Sequence, residues 1–186
     1  MEEIKRYKTS DLVLGIDHNY DPTKLPLHEW DRFLDILVNG RGYQKEAIIK
    51  SIIFLASGLY QDTRDLVEKN WNDSSKIELK SRYKDFDEYV KHLQIPDNLS
   101  ATIDLATGTG KSYIIYGIGQ IMLGLGLVDR VLVLCPSLTI EDGLTEKFLE
   151  LTNFITAFVS GSEKGAVPLY VSLDDVVPDP LLDEFQ

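Results

Sequence analysis

Cysteine is nearly absent. Cys135 stands alone in a chain of 186 residues, so no disulfide can form within it. Long hydrophobic runs are missing as well, and no uninterrupted apolar stretch reaches the roughly 18 residues expected of a membrane span. Positive charge is in deficit: 19 Lys and Arg face 30 Asp and Glu, for a formal net charge of -11. That balance excludes a surface that is basic throughout, and any contact with nucleic acid must use a local patch or a partner chain. His18, His28 and His92 lie far apart, with no Cys or second His at ligand spacing, which argues against a metal site built on them. No repeat period and no low-complexity tract runs through the chain. The first residues, MEEIKRYKTSD, are polar and of mixed charge, unlike a secretory signal with its apolar centre. These absences lead to the expectation of a soluble, cytoplasmic protein in a reducing compartment, with no membrane partner.

What is present is enough for one ordinary domain, since 44% of the residues are hydrophobic. Residues 1–40 read as a lead-in followed by a helix, in which Leu27, Trp30, Phe33, Leu34 and Leu37 recur at three- and four-residue steps. The Gly40-Arg41-Gly42 break should end it. A second helix over Tyr43 to Ser57 is apolar almost all round, which predicts burial against a sheet. Gln61 to Gln94 is highly charged yet carries Leu79, Tyr83, Phe86, Val90 and Leu93, and reads as a helical insertion at about 61–96. After Asn98 the pattern changes. Ala101, Ile103 and Leu105 alternate as in a strand, a glycine-rich loop follows, and Tyr113 to Leu127 reads as an apolar helix. Arg130 to Cys135 is a short apolar run that suits a strand buried on both faces, with Cys135 a small core residue. A helix over Thr139 to Leu151, capped by Ser137 or Thr139, and strands at Phe154 to Val159 and Val167 to Leu173 complete an alternation that implies an open α/β fold with a parallel sheet.

The loop carries the chemistry. A triphosphate crowds several negative oxygens together, and a ring of backbone N–H groups at a helix N-terminus can hold them. Gly108 and Gly110 let the backbone curl closely around a phosphate. Lys111 follows, and its ammonium can reach β- and γ-phosphate oxygens, which makes it the candidate catalytic residue. The Ser112 hydroxyl can coordinate the Mg²⁺ that bridges those phosphates. The strict phosphate-loop pattern places glycine where this chain has Leu105. A glycine-rich turn that happens to precede a lysine is the plainer alternative; the strand before the loop and the helix after it favour the phosphate site.

LATGTGKS, from Leu105 to Ser112, resembles motif I of superfamily 2 DEAD/DEAH-type helicases, and is most similar to the motor subunits of type I and type III restriction enzymes. RGYQKEAI, from Arg41 to Ile48, resembles the signature that precedes motif I in that group, where the glutamine contacts adenine; the matching residue is Gln44. Val131 to Phe148 is similar to motif Ia and its helix, with Pro136 and Ser137 at the place that touches the DNA backbone. The resemblance implies a RecA-like fold of the phosphate-loop NTPase type: a parallel sheet with flanking helices, incomplete at its C-terminal side and with helical additions before the first motif. Residues 41–186 would be a partial ATP-binding domain. It further implies ATP and Mg²⁺ as cofactors, with Gln44, Thr107, Gly108, Thr109, Gly110, Lys111 and Ser112 as the nucleotide contacts, Ser112 as the magnesium ligand, and DNA as partner. ATP hydrolysis would drive movement on DNA in a complete motor.

Such a motor also needs a carboxylate pair for magnesium and water, and a second domain that supplies an arginine. Asp174 with Asp175, and Asp183 with Glu184, imitate the carboxylate pair, but neither follows a complete strand, and a solvated acidic tail is the simpler reading. The chain is therefore expected to be a truncated motor half, marginally stable alone or dependent on a partner chain or a missing C-terminal motor domain. Two other readings stay open. One is a nucleotide-binding, hydrolysis-incompetent module that acts through a partner, and the other a small kinase built on the same loop.

Overall fold

A computed structural model describes residues 14–160, and among them the side chains of Glu78 and of residues 156–160 are not described. The described part divides into two compact units, one made of residues 14–25 and 49–105, the other of residues 26–48 and 106–160.

The second unit holds the loop. A 3₁₀ turn over Leu27–Trp30 feeds helix α1, Asp31–Val38. Their three- and four-residue spacing puts Leu27, Trp30, Phe33, Leu34 and Leu37 inside, and Trp30 meets Phe33 edge to face at 5.3 Å. Asn39 ends α1 in the left-handed region at φ 45°, with its N–H on the Asp35 carbonyl. Helix α2 begins three residues later and runs over Gly42–Ala56, so that it contributes to both units. Helix α6, Lys111–Gly124, packs with α1 and with α7, Leu138–Ser160. Gly117 makes that approach close: a Cβ there would lie 2.7 Å from Ile48 Cδ1 and 2.9 Å from Leu37 Cδ2. The Tyr116 ring lies 5.5 Å from Phe148, and its hydroxyl shares a 2.9 Å hydrogen bond with Thr152.

The first unit is stitched by polar side chains. Helices α3 (Thr63–Asn72), α4 (Ile77–Arg82) and α5 (Phe86–Lys91) occupy the charged segment. Asp62 and Asp85 cap α3 and α5 by accepting from the Asp65 and Glu88 amides. In return, the Asp65 and Glu88 carboxylates accept from the Gln61 and Lys84 amides, which doubles each cap. The buried Asn70 pairs with both the N–H and the C=O of Gly15, and Thr63 bridges the Asn98 and Ser100 carbonyls. Val67, Leu79, Tyr89 and Val90 form one apolar cluster, and Phe54, Tyr60 and Leu66 form another.

The expected α/β fold is not what these residues build. Among the described residues every regular element is helical, and there is no strand, hence no parallel sheet of RecA-like type and no sheet against which α2 is buried. Two physical reasons account for the difference. Phe154 to Val159 is apolar enough for a strand, but Leu151 and Ile155, four residues apart, are both buried, and that spacing lets α7 continue through the segment. Arg130 to Cys135 is apolar enough for a buried strand, yet a ladder needs a partner, and here the segment has no regular structure. Leu132 and Leu134 stand 78% and 81% exposed, and Cys135 is half-buried rather than the end of a core strand. Residues 101–105 likewise form no strand. The expected strand at Val167 to Leu173 and the acids Asp174, Asp175, Asp183 and Glu184 lie outside the described residues.

Candidate functional site

The loop between Leu105 and α6 turns on two glycines. Gly108 and Gly110 have φ of 81° and 79°, in the left-handed region that residues with a Cβ reach only at a cost. Gly110 is also the residue from which α6 starts, and no side chain caps that helix end. A helix start of this kind presents backbone N–H groups and the positive end of the peptide dipoles, the elements of an anion site.

Two carbonyls organise the loop. The Ala106 oxygen accepts from Thr109 Oγ1 at 2.6 Å and from Lys111 Nζ at 3.0 Å, so the lysine lies back along its own loop. The Thr109 oxygen accepts from Gln44 Nε2 at 2.7 Å and from the Tyr43 hydroxyl at 3.0 Å. Both donors sit in the first turn of α2, more than sixty residues away in sequence. Gln44 is 1% exposed, and its Oε1 is buried with no hydrogen-bond partner. Its amide lies where the Gly110 Cβ would be, so that a side chain at position 110 would come within 2.5 Å of Nε2.

Cations gather beside the loop. Tyr113, one residue beyond Ser112, has the Arg41 guanidinium 5.7 Å and the Lys147 ammonium 5.2 Å from its ring centre. Lys147 is held 2.8 Å from Glu150, and that bond, more than the one to Tyr113, raises its pKa above the usual lysine value. In a chain of net charge -11, Arg41, Lys111 and Lys147 make a local cationic flank.

Of the residues singled out in the sequence, the structure brings Gln44, Thr109, Gly110 and Lys111 together through the bonds above. Thr107 and Gly108 are exposed on the same loop, and Ser112 is half-buried in the first turn of α6. Pro136 and Ser137 are exposed where α7 begins, the Ser137 carbonyl accepting the Ile140 and Glu141 amides; the bonds around the loop do not reach them. Sequence reasoning missed Tyr43 and Tyr113 as parts of the site. Tyr43 had a signal, since it lies inside the RGYQ signature beside Gln44, whereas Tyr113 had none beyond its place after Ser112. An open groove of about 440 Å³ lined by Arg64, Asp87, Val90, Lys91, Leu93 and Pro96 lies in the other unit and contains no loop residue.

The donor set fits a magnesium-bound polyphosphate: an uncapped helix start, two glycines already in the left-handed region, a lysine whose ammonium is exposed and loop-bound, and a hydroxyl one residue on. Among the described residues no helix is long and apolar enough to cross a membrane. A family model described as type III restriction enzyme, res subunit, matches residues 37–172, a span that contains the whole loop and its α2 contacts. No curated protein and no solved structure matches the chain.

Proposed function

The chain belongs to the family of type III restriction enzyme res subunits, helicase-type modules that depend on a nucleotide, and from that premise we propose that the loop Leu105 to Ser112 binds the phosphates of Mg-ATP in the cytoplasm. The observation that carries the reading is the loop itself, with Gly108 and Gly110 in left-handed conformations leading into the uncapped start of α6.

Each residue has a part. Backbone N–H groups of Thr107 to Gly110 and of the α6 start take the phosphate oxygens, and Thr109 Oγ1 keeps the loop curled through the Ala106 carbonyl. Lys111 exchanges that carbonyl for phosphate oxygens and opposes their charge. Ser112 would hold the magnesium ion, which would supply charge neutralisation to the phosphates. Gln44 is the adenine contact that the family resemblance implies and would favour ATP over GTP, its buried, unpaired Oε1 becoming available to the adenine amino group only if the side chain turns outward. Pro136 and Ser137, exposed at the start of α7, are the proposed DNA contacts, made to phosphate and sugar rather than to bases. In this reading ATP hydrolysis is coupled to movement on DNA, with further elements supplied by a partner chain or a second motor domain.

A second reading is favoured by the exposed Leu132, Leu134 and Leu138, which lie beside the proposed DNA contacts. It makes the chain a nucleotide-binding module that does not hydrolyse alone and acts through a partner. One experiment separates the two: Mg-ATP binding and turnover by the 186-residue chain, with and without duplex DNA, beside Lys111→Ala. DNA-stimulated turnover that the variant loses supports the motor. Binding without turnover, weakened about tenfold or more in the variant, supports the partner-dependent module. Absence of Mg-ATP binding by the unaltered chain would sink both.

A further inference from the structure

We propose that Tyr43 is a positioning residue: with Gln44 it fixes the Thr109–Gly110 peptide so that the Gly110 N–H stays turned toward the phosphate cradle. The inference rests on the phosphate-loop reading above and adds to it a residue whose hydroxyl acts on the loop backbone.

A carbonyl oxygen has two acceptor positions, and at Thr109 the Tyr43 hydroxyl and Gln44 Nε2 supply a donor for each. The peptide unit is planar and trans, so holding its C=O toward α2 holds its N–H the opposite way. Gly110 makes the restraint necessary. Glycine accepts either sign of φ, so a flip of the Thr109–Gly110 peptide meets little steric resistance, and it would turn a carbonyl dipole toward an incoming anion in place of an N–H. The two donors are what oppose that flip.

Tyr43 differs from Gln44 in a telling way. Gln44 is buried and packs against Gly110, so core filling accounts for part of its place. Tyr43 is 45% exposed, and its hydroxyl spans 66 residues of sequence to reach Thr109. Burial of the ring does not explain it; the hydroxyl contact does.

The test uses the full 186-residue chain with Tyr43→Phe, which removes only the hydroxyl, and Tyr43→Ala, which removes the ring as well. Inorganic pyrophosphate with Mg²⁺ is the probe, because it has phosphates and no base. Both variants should bind it about three- to tenfold more weakly than the unaltered chain, the loss expected for one neutral hydrogen bond. The thermal midpoint of Tyr43→Phe should fall by no more than the few degrees that loss of one neutral hydrogen bond costs. In ¹⁵N-glycine-labelled protein without ligand, the Gly110 amide line should be sharp in the unaltered chain and broadened or doubled in Tyr43→Phe. Weakened pyrophosphate binding together with the altered Gly110 line supports the proposal. Either one at its unaltered value in Tyr43→Phe overturns it. An unaltered chain that binds no pyrophosphate overturns the underlying phosphate-loop reading instead, an outcome seen before any variant is compared.

Discussion

Gly117 and Gly119 are both buried on α6, yet their surroundings set opposite expectations for a methyl group. Alanine in a helix interior gains about 1 kcal/mol over glycine. At Gly119 the nearest atom to a new Cβ is Val131 Cγ1 at 3.8 Å, an ordinary contact, so Gly119→Ala should keep most of that gain. At Gly117 the Cβ would press on Ile48 and Leu37, both buried, and overpacking of this kind costs about 1–3 kcal/mol. Gly117→Ala should therefore be neutral to destabilising by about 2 kcal/mol. Urea unfolding of the two variants would check the contrast; a clearly stabilised Gly117→Ala would contradict it. The same residues show why the sequence was only partly informative. An apolar helix was legible from composition, whereas the close neighbours of Gly117, side chains of α1 and α2, were not. Gln44 and Lys111 stood out as residue types in a motif, whereas the Tyr43 hydroxyl bond joins positions 66 apart and depends on tertiary structure that no local pattern encodes.

Helices α3 and α5 depend on their caps more than on their lengths, since isolated helices this short are marginal in water. Asp62→Ala should cost the first unit about 1 kcal/mol, and Asp85→Ala a similar amount, seen as lower urea midpoints. The spacing of Asp62 to Asp65 and of Asp85 to Glu88 marks both helix starts in the sequence, a finer signal than the hydrophobic period that marks α1. That period fails at short apolar runs. Phe154 to Val159 and Arg130 to Cys135 suit a strand or another state equally by composition, and the choice falls to the neighbours each run finds. A second test at this scale concerns pH. Burial, and secondarily the neighbouring Tyr83, pushes the Tyr89 hydroxyl from 10.0 up to about 12. Its folded value lies above its unfolded one, so the stabilising contribution is complete below pH 10 and is lost as pH rises toward 12. The stability of the first unit should fall between pH 10 and 12, and Tyr89→Phe should lessen that fall; an unchanged slope in the variant would count against the assignment.

For the molecule as a whole, the exposed apolar segment and the acidic balance oppose each other. Leu132, Leu134 and Leu138 offer apolar surface of the kind that promotes association, while a net charge of -11 keeps copies apart. Leu134→Lys should leave the unfolding free energy within about 0.5 kcal/mol, because the side chain is already in solvent. Light scattering at high salt, where the repulsion is screened, should show less association for the variant than for the unaltered chain. The excess of carboxylates has a second effect when set beside the lysine folded back onto Ala106. At long range the chain's net charge repels anions, and on the proposed reading the Lys111 ammonium must also exchange its bond to the Ala106 carbonyl, so a stray chloride or a single phosphate gains little. In that reading a ligand with several adjacent negative oxygens, able to fill the cradle while it draws the lysine away, recovers more of these costs. On the proposed reading, selectivity for long phosphate chains begins as exclusion, with the empty loop acting as its own competitive inhibitor.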